Sequence, residues 1–287
     1  GIGASLMSGS DSAMLYDTLI ETGNKKNYTK IEGKNYAIGN FSEAIAGILG
    51  GLLATISIFL PIYVQTFILF FSIPIALSLI EPKININDKL EKSFYTILKI
   101  VKFTMIENVK LRWLIIYSST MGVATLSMAW FAQPFFENVN IPLAYFGILW
   151  AFLNLSAGIT SFNSHYIYKS YKINKILLYL SLSILILFTL LSLNQSIYGI
   201  IFIFFIYLLR GVATPILRNE ININTESKKR ATVLSIRSFI IRISFAIFAP
   251  ILGYIAEHYT LSTTFLTLSI LIGSFSILSY FKLCNLD

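Results

Sequence analysis

Charged side chains interrupt several long apolar stretches of this sequence, notably at Asp11, Glu43, Arg210, Arg237 and Arg242. An ionised side chain among apolar residues is costly to bury, so it normally faces a partner of opposite charge or a water-filled cavity. A carboxylate in such a place can take up and release a proton, and an arginine can hold a carboxylate or another anion. We therefore expect these residues to form ion pairs between helices or to line a polar cavity.

Glu43 and Arg242 are the deepest of these charges. They lie about 8 and about 11 residues into their predicted helices, or ~12 Å and ~16 Å at 1.5 Å per residue. Glu43 is either a proton-coupling carboxylate or half of a structural ion pair. Arg242 is a counter-ion for an anionic substrate or for Glu43. Arg210 precedes Gly211, which permits close helix packing, and it either lines a cavity or takes part in that packing.

A second set of charges lies nearer the ends of the apolar stretches. Asp11, Asp17 and Arg237 are predicted to form a gate or a lock between helices. Gln133 and Asn154 are weaker candidates for substrate contacts, because buried amides in apolar helices usually serve interhelical hydrogen bonding. We also expect small residues to let helices cross closely at Gly39, Gly47, Gly50, Gly51 and Gly253.

The sequence contains none of three residue patterns that are common in enzymes. There is no Ser–His–Asp set, no histidine pair at zinc spacing and no phosphate-binding glycine loop. His165 and His258 are isolated, and the single cysteine, Cys284, cannot form an internal disulfide. We therefore predict a protein that is not an enzyme and that needs no cofactor or metal.

The composition indicates a membrane protein made of helices. The 287 residues are 55% hydrophobic and 13% charged, and the mean hydropathy is +0.72. Apolar runs of about 20 residues match a hydrocarbon core roughly 30 Å thick, and they lack the strict alternation of barrel strands. The fold class predicted is all-α and polytopic, with about nine transmembrane helices. Their predicted ranges are 1–17, 36–58, 62–80, 113–135, 142–165, 176–194, 197–217, 232–256 and 261–281.

Lysine and arginine occur in every second predicted loop. These loops are 25–34, 83–112, 169–175, 218–230 and the C-terminal segment with Lys282. The alternate loops carry only Glu137 and Glu257. The positive-inside rule places the basic loops and the C-terminus in the cytoplasm, with the helices crossing the plasma or inner membrane. The net charge of +8 is thus explained by topology, and no nucleic-acid partner is predicted.

The longest basic loop separates two predicted helical bundles. Leu90, Phe94, Ile97, Val101 and Met105 recur at helical spacing among lysines, which predicts an amphipathic helix on the inner leaflet, although a solvated linker is the alternative. The predicted parts are a helical bundle over 1–80, this linker over 81–112 and a six-helix bundle over 113–287.

A sequence repeat relates the two bundles. The pattern S-x-A-I-x5-G-x-x-A occurs from Ser42 to Ala54 and again from Ser244 to Ala256, an offset of 202 residues. The same offset pairs Gly9 with Gly211 without a gap. A parallel repeat of membrane hairpins is typical of transporters.

The arrangement resembles the major facilitator superfamily, in particular bacterial drug exporters. Residues 1–19 resemble that family's fourth helix, 46–51 its antiporter motif, and 230–235 with 249–253 its eleventh helix. The resemblance implies that about the first three helices, roughly 90–110 residues, precede Gly1.

It also implies a monomeric secondary transporter that moves a small molecule by alternating access. Proton-coupled efflux of an amphipathic molecule is the first expectation. Uptake of a metabolite or sugar, or a polytopic membrane protein without transport activity, is the alternative. The partners expected are the small-molecule substrate, a proton or other coupling ion, and the lipid bilayer.

Overall fold

The protein is all-helical over the residues that the computed structural model describes, which are 10–80, 94–142 and 145–286. No strand occurs in those ranges. The helices are α1 Ser10–Glu21, α2 Tyr28–Ile56, α3 Leu60–Phe70, α4 Ser72–Leu77, α5 Phe94–Lys102, α6 Val109–Asn138, α7 Phe146–Ser170, α8 Ile173–Leu193, α9 Gly199–Ile223, α10 Ser227–His258 and α11 Leu261–Cys284.

Seven helices in the described part of the chain are long and apolar enough to cross a membrane, with α3 and α4 counted together. The predicted all-α, polytopic membrane protein is therefore confirmed at that level. Helix α7 has 25 residues but is not among these seven, and its sequence includes the polar residues Asn154, Thr160 and Asn163. Helix α1 has 12 described residues, and the first part of the predicted span 1–17 lies outside the described residues.

The helices extend beyond the predicted spans on the side of the basic loops. Helix α2 begins at Tyr28 and not at 36, α9 ends at Ile223 and not at 217, and α10 begins at Ser227 and not at 232. Hydropathy detects only the apolar part of a helix, whereas backbone hydrogen bonding continues through polar residues that water can solvate. We call this side of the molecule the basic end.

The C-terminal ends of the helices reproduce the 202-residue offset of the sequence repeat. Glu21 and Ile223 end α1 and α9, and Ile56 and His258 end α2 and α10, each pair 202 residues apart. The beginnings of α2 and α10, at Tyr28 and Ser227, are 199 residues apart, so α10 begins earlier. We call α1–α2 the first hairpin and α9–α10 the second hairpin. Gly9 lies outside the described residues, so its pairing with Gly211 stays a prediction.

The turn of the first hairpin depends on a glycine. Gly23 has a φ of +70°, in the left-handed region that glycine adopts at the end of a helix without a Cβ clash. Its N–H donates to the Ile20 carbonyl, and the Asn24 N–H donates to the Leu19 carbonyl. The chain can therefore reverse within a few residues and enter α2.

Helices α6 to α11 supply most of the apolar core, which includes Phe135, Phe136, Phe188 and Phe265. The first hairpin packs on this core across several helices: α2 lies along α7 and contacts α9, and α1 contacts α10. Helices α3 and α4 have no buried residues. The surface between the two hairpins is thus the main place where polar side chains of both can meet.

Helices α2 and α7 approach each other closely at Gly33. A Cβ at Gly33 would lie 2.4 Å from the Ser161 carbonyl oxygen, and the Ser161 hydroxyl donates to the Gly33 carbonyl at 2.9 Å. Among the described residues, the close crossings predicted at Gly39, Gly50, Gly51 and Gly253 do not occur, since nothing lies within 4 Å of a Cβ built there. Gly47 has a looser contact, 3.5 Å from Trp150.

The predicted amphipathic helix is present from Phe94 to Lys102 and continues as a π-helical turn over Phe103–Glu107. Leu90 lies outside the described residues. Ile100 is buried, and Lys229 of α10 lies 4.2 Å from the ring centre of Phe103, so the segment is attached to the second hairpin. Its position at the inner leaflet stays a prediction.

Candidate functional site

Two adjoining cavities lie between the hairpins. The first, which we call the acidic cavity, has a volume of about 250 Å³ and is formed by α1, α2 and α9. Its charged and hydroxyl-bearing lining consists of Asp11, Ser12, Glu32, Tyr36, Glu43, Arg210 and Arg218. It therefore brings carboxylates of the first hairpin to face arginines of the second.

The second cavity, which we call the arginine cavity, has a volume of about 260 Å³ and lies between α6, α9 and α10. It shares Tyr36, Arg210 and Arg218 with the acidic cavity. Arg237 and Arg242 also line it, and no carboxylate occurs among its described lining residues. The two cavities thus differ sharply in charge although they touch.

Two ion pairs connect the hairpins near the basic end. Arg218 of α9 donates to the Glu32 carboxylate of α2 at 2.6 Å, and Arg230 of α10 donates to the Asp17 carboxylate of α1. Under the 202-residue offset, α1 corresponds to α9 and α2 to α10. The pairs α2–α9 and α1–α10 are therefore equivalent by the repeat, with both acids on the first hairpin and both arginines on the second.

The Asp17–Arg230 pair is deeply buried and supported by further groups. The two side chains are 8% and 4% exposed, and the Ser227 hydroxyl also donates to Asp17 at 2.7 Å. The Arg230 guanidinium lies 4.1 Å from the ring centre of Tyr16 and donates to the Thr225 carbonyl at 3.0 Å. A buried pair needs such additional hydrogen bonds to offset its desolvation.

Glu43 and Arg210 line the same cavity at mid-depth. Glu43 is 15 residues from the start of α2, roughly 22 Å along the helix. The Arg210 Nε donates to the Tyr36 hydroxyl at 2.8 Å, and its guanidinium lies 5.4 Å from the ring centre of Tyr207. These contacts hold the cation at the boundary of the two cavities, where it can act on Glu43.

The structure places the three predicted lock residues, Asp11, Asp17 and Arg237, in different surroundings. Asp17 forms a buried interhelical ion pair, with Arg230 as its partner. Asp11 instead lines the acidic cavity and is exposed. Arg237 lines the arginine cavity and donates to the Ser118 hydroxyl of α6. Arg242, 15 residues from the start of α10, lines the same cavity at mid-depth.

The two amide candidates lie outside both cavities. Gln133 is exposed near the end of α6 remote from the basic end. Asn154 is fully buried in α7, where its amide donates to the Trp150 carbonyl at 3.1 Å. Their positions provide no contact with the charged site.

Sequence reasoning missed Glu32, Arg218 and Arg230. Arg218 and Arg230 were attributed to loops because they flank the apolar stretches, and Glu32 precedes the predicted start of its helix. The repeat gave no direct signal for the two arginines, since the 202-residue offset pairs Arg218 with Tyr16 and Arg230 with Tyr28. The ion pairs depend on contacts between the hairpins, which a repeat of sequence does not contain.

Neither protein-family models nor curated proteins gave a match to this sequence. Within the described residues, no group of three His, Cys, Asp or Glu side chains could hold a metal ion. The groups that line the two cavities are carboxylates, guanidinium groups and hydroxyls. These groups can bind protons and small charged molecules.

Proposed function

We propose that this chain is a secondary transporter of the major-facilitator type, which moves a small molecule by alternating access. The observation that supports this most strongly is the charged cavity at mid-depth between α1, α2 and α9, together with two ion pairs between the hairpins near the basic end. Substrate sites at the interface of membrane repeats have this position. The proposal includes nine membrane crossings and a location in the plasma or inner membrane.

In this mechanism, the second hairpin rocks against the first. Separation of Asp17 from Arg230 and of Glu32 from Arg218 opens the acidic cavity to the basic end, and their re-formation closes it. Glu43 and Arg210 come from different hairpins, so the same motion changes the distance between them. Because a nearby guanidinium favours the ionised carboxylate, the motion links proton binding at Glu43 to cavity opening. The direction we propose is proton-coupled efflux, with uptake as the alternative.

The basic end is expected to face the cytoplasm together with the C-terminus. In a Cys284→Ser background, a membrane-impermeant maleimide should label Asn194→Cys from outside the cell and Lys228→Cys only in inverted vesicles. The reason is that Asn194 follows α8 at the end without lysines, whereas Lys228 begins α10. Labelling of both cysteines from one side would contradict the topology.

Glu43→Gln is expected to abolish proton-driven flux while leaving the protein folded, because glutamine keeps the size and much of the hydrogen bonding but cannot titrate. The measurement uses inverted membrane vesicles carrying a proton gradient, reported by a pH-sensitive dye. Ethidium, succinate and glucose are added in turn as cationic, anionic and neutral probes. At least one probe should discharge the gradient with the parent chain and not with Glu43→Gln.

Glu137→Gln serves as the matched control, because Glu137 lies on the exposed far end of α6 and outside both cavities. It should retain the parent response. A parent chain that discharges the gradient with none of the probes and shows no exchange of labelled probe would count against transport. Unchanged proton-driven flux in Glu43→Gln would remove Glu43 from the coupling step.

A further inference from the structure

Arg237 is a buried cation whose charge has no anionic partner in the described structure. It is 8% exposed, and its Nε donates to the neutral hydroxyl of Ser118. Over residues 10–80, 94–142 and 145–286, no carboxylate forms a salt bridge with it. An unpaired charge removed from water is costly, so such a group usually has a ligand or a functional partner.

The surroundings of Arg237 increase the positive charge and do not neutralise it. Arg210, Arg218 and Arg242 line the same cavity of about 260 Å³. The carboxylate of Glu32 is held by Arg218 at 2.6 Å. Glu43 and Asp11 line the acidic cavity and not this one. Among its described lining residues, the cavity thus has four guanidinium groups and no carboxylate.

The remaining lining of the cavity combines hydroxyl and apolar side chains. Thr125, Thr214 and Ser238 supply the hydroxyl groups, and Leu126, Ala129 and Ile241 supply the apolar part. The Thr125 and Thr214 hydroxyls donate to the Gly122 and Arg210 carbonyls of their own helices. Guanidinium groups recognise planar carboxylates and phosphates through paired hydrogen bonds, so the arginines supply the charge-assisted contacts for such an anion.

We propose that the arginine cavity binds the anionic group, a carboxylate or a phosphate, of the molecule that the chain transports, with Arg237 as its principal counter-ion. This assignment rests on the proposed transport function and names its substrate class. The adjoining acidic cavity then receives the rest of the molecule beyond Tyr36 and Arg210, which border both cavities. Binding in this place lets one substrate contact both hairpins.

The test measures equilibrium binding of radiolabelled succinate and inorganic phosphate to the full chain in phosphatidylcholine nanodiscs. At least one probe should bind saturably. Arg237→Gln should weaken that binding roughly tenfold to a hundredfold, because it removes a charge-assisted contact. Arg237→Lys should retain an intermediate affinity, since it keeps the charge without the planar fork. Lys175→Gln, an exposed cation at the start of α8, should bind as the parent does.

The outcomes separate this inference from the transport proposal. Absence of binding for both probes, or binding that Arg237→Gln leaves unchanged, overturns the anion site. If phosphatidylglycerol alone stabilises the protein through Arg237, the ligand is a lipid headgroup and the substrate assignment is overturned. Arg237-dependent binding without flux keeps the anion site and refutes transport. Flux of ethidium without anion binding keeps transport and refutes the anion site. Because Arg237→Gln could fail to fold, Arg237→Lys and the size-exclusion profile of each variant are measured in parallel.

Discussion

Arg230→Met is expected to open the acidic cavity to the basic end, because Asp17 would remain buried without its counter-ion. The two side chains are 8% and 4% exposed, which identifies a buried pair. Breaking such a pair costs about 3–5 kcal/mol, which corresponds to a shift in population of roughly a hundredfold or more. The rate at which an impermeant maleimide labels a cysteine at Gly39 reports this shift, since Gly39 lines the cavity and has room for a side chain.

Two controls separate the lock from a general effect of charge. Glu226→Gln breaks the exposed pair with Lys229 and should leave the labelling rate nearly unchanged, because exposed pairs contribute about 0–1 kcal/mol. Exchanging the charges, with Asp17→Arg and Arg230→Asp together, should restore part of the closed state. If Arg230→Met folds and labels at the parent rate, the pair does not keep the cavity closed.

The Glu32–Arg218 pair should respond differently to the loss of each partner. Arg218→Met leaves the Glu32 carboxylate, which is 4% exposed, whereas Glu32→Gln leaves the Arg218 guanidinium, which is 26% exposed and which water can partly solvate. The expected order of labelling rates at the Gly39 cysteine is therefore Arg218→Met, then Glu32→Gln, then the parent. Equal labelling rates in the two variants would contradict this order.

In both described ion pairs between the hairpins, the acid belongs to the first hairpin and the arginine to the second. Asp17 and Glu32 of the first hairpin are each neutralised by an arginine of the second hairpin, so separation of the hairpins leaves two carboxylates and two guanidinium groups without these partners. The interface is thus favoured when closed, yet it carries a polar surface that water can enter when it opens. An apolar interface would lose this second property, because its separation would expose hydrocarbon to water.

The sequence predicted the fold further than it predicted the site. Apolar runs were sufficient to predict the seven described helices that are long and apolar enough to cross a membrane, because hydropathy depends on local composition. The count of nine and the orientation stay predictions. Glu43 and Arg210 were identified by their depth, which is also a local property. The Asp17–Arg230 pair was not predicted, since it depends on which residues of two distant helices face each other.

Close packing at glycines could likewise not be predicted from the sequence of one helix. Gly33 and Gly39 are about 1.7 turns apart on α2 at 3.6 residues per turn. Of the two, only Gly33 lies close to α7. A glycine permits close approach, but the rotation of the helix decides whether a neighbour is there. Packing of α2 against α7 fixes that rotation, and no pattern within α2 alone contains it.

Gly33→Ala is expected to separate α2 from α7 near the basic end. The added Cβ would lie 2.4 Å from the Ser161 carbonyl oxygen, which belongs to the backbone of α7 and cannot rotate away. Overpacking of this kind costs about 1–3 kcal/mol. The Lys34 ammonium nitrogen lies 5.7 Å from the ring centre of Phe162. Cysteines at these two positions should then be linked by a short bifunctional maleimide several-fold less efficiently.

Gly50→Ala is the matched control, because a Cβ there meets nothing within 4 Å on the same helix. Both substitutions gain about 1 kcal/mol in helix propensity, so a difference between them comes from packing alone. Equal cross-linking in the two variants would contradict the close contact. If Gly33→Ala also raises labelling of the Gly39 cysteine, a steric change and the charge change at Arg230 have the same result. The feature they share would then be the closed conformation of the hairpins, because no electrostatic effect can come from an alanine.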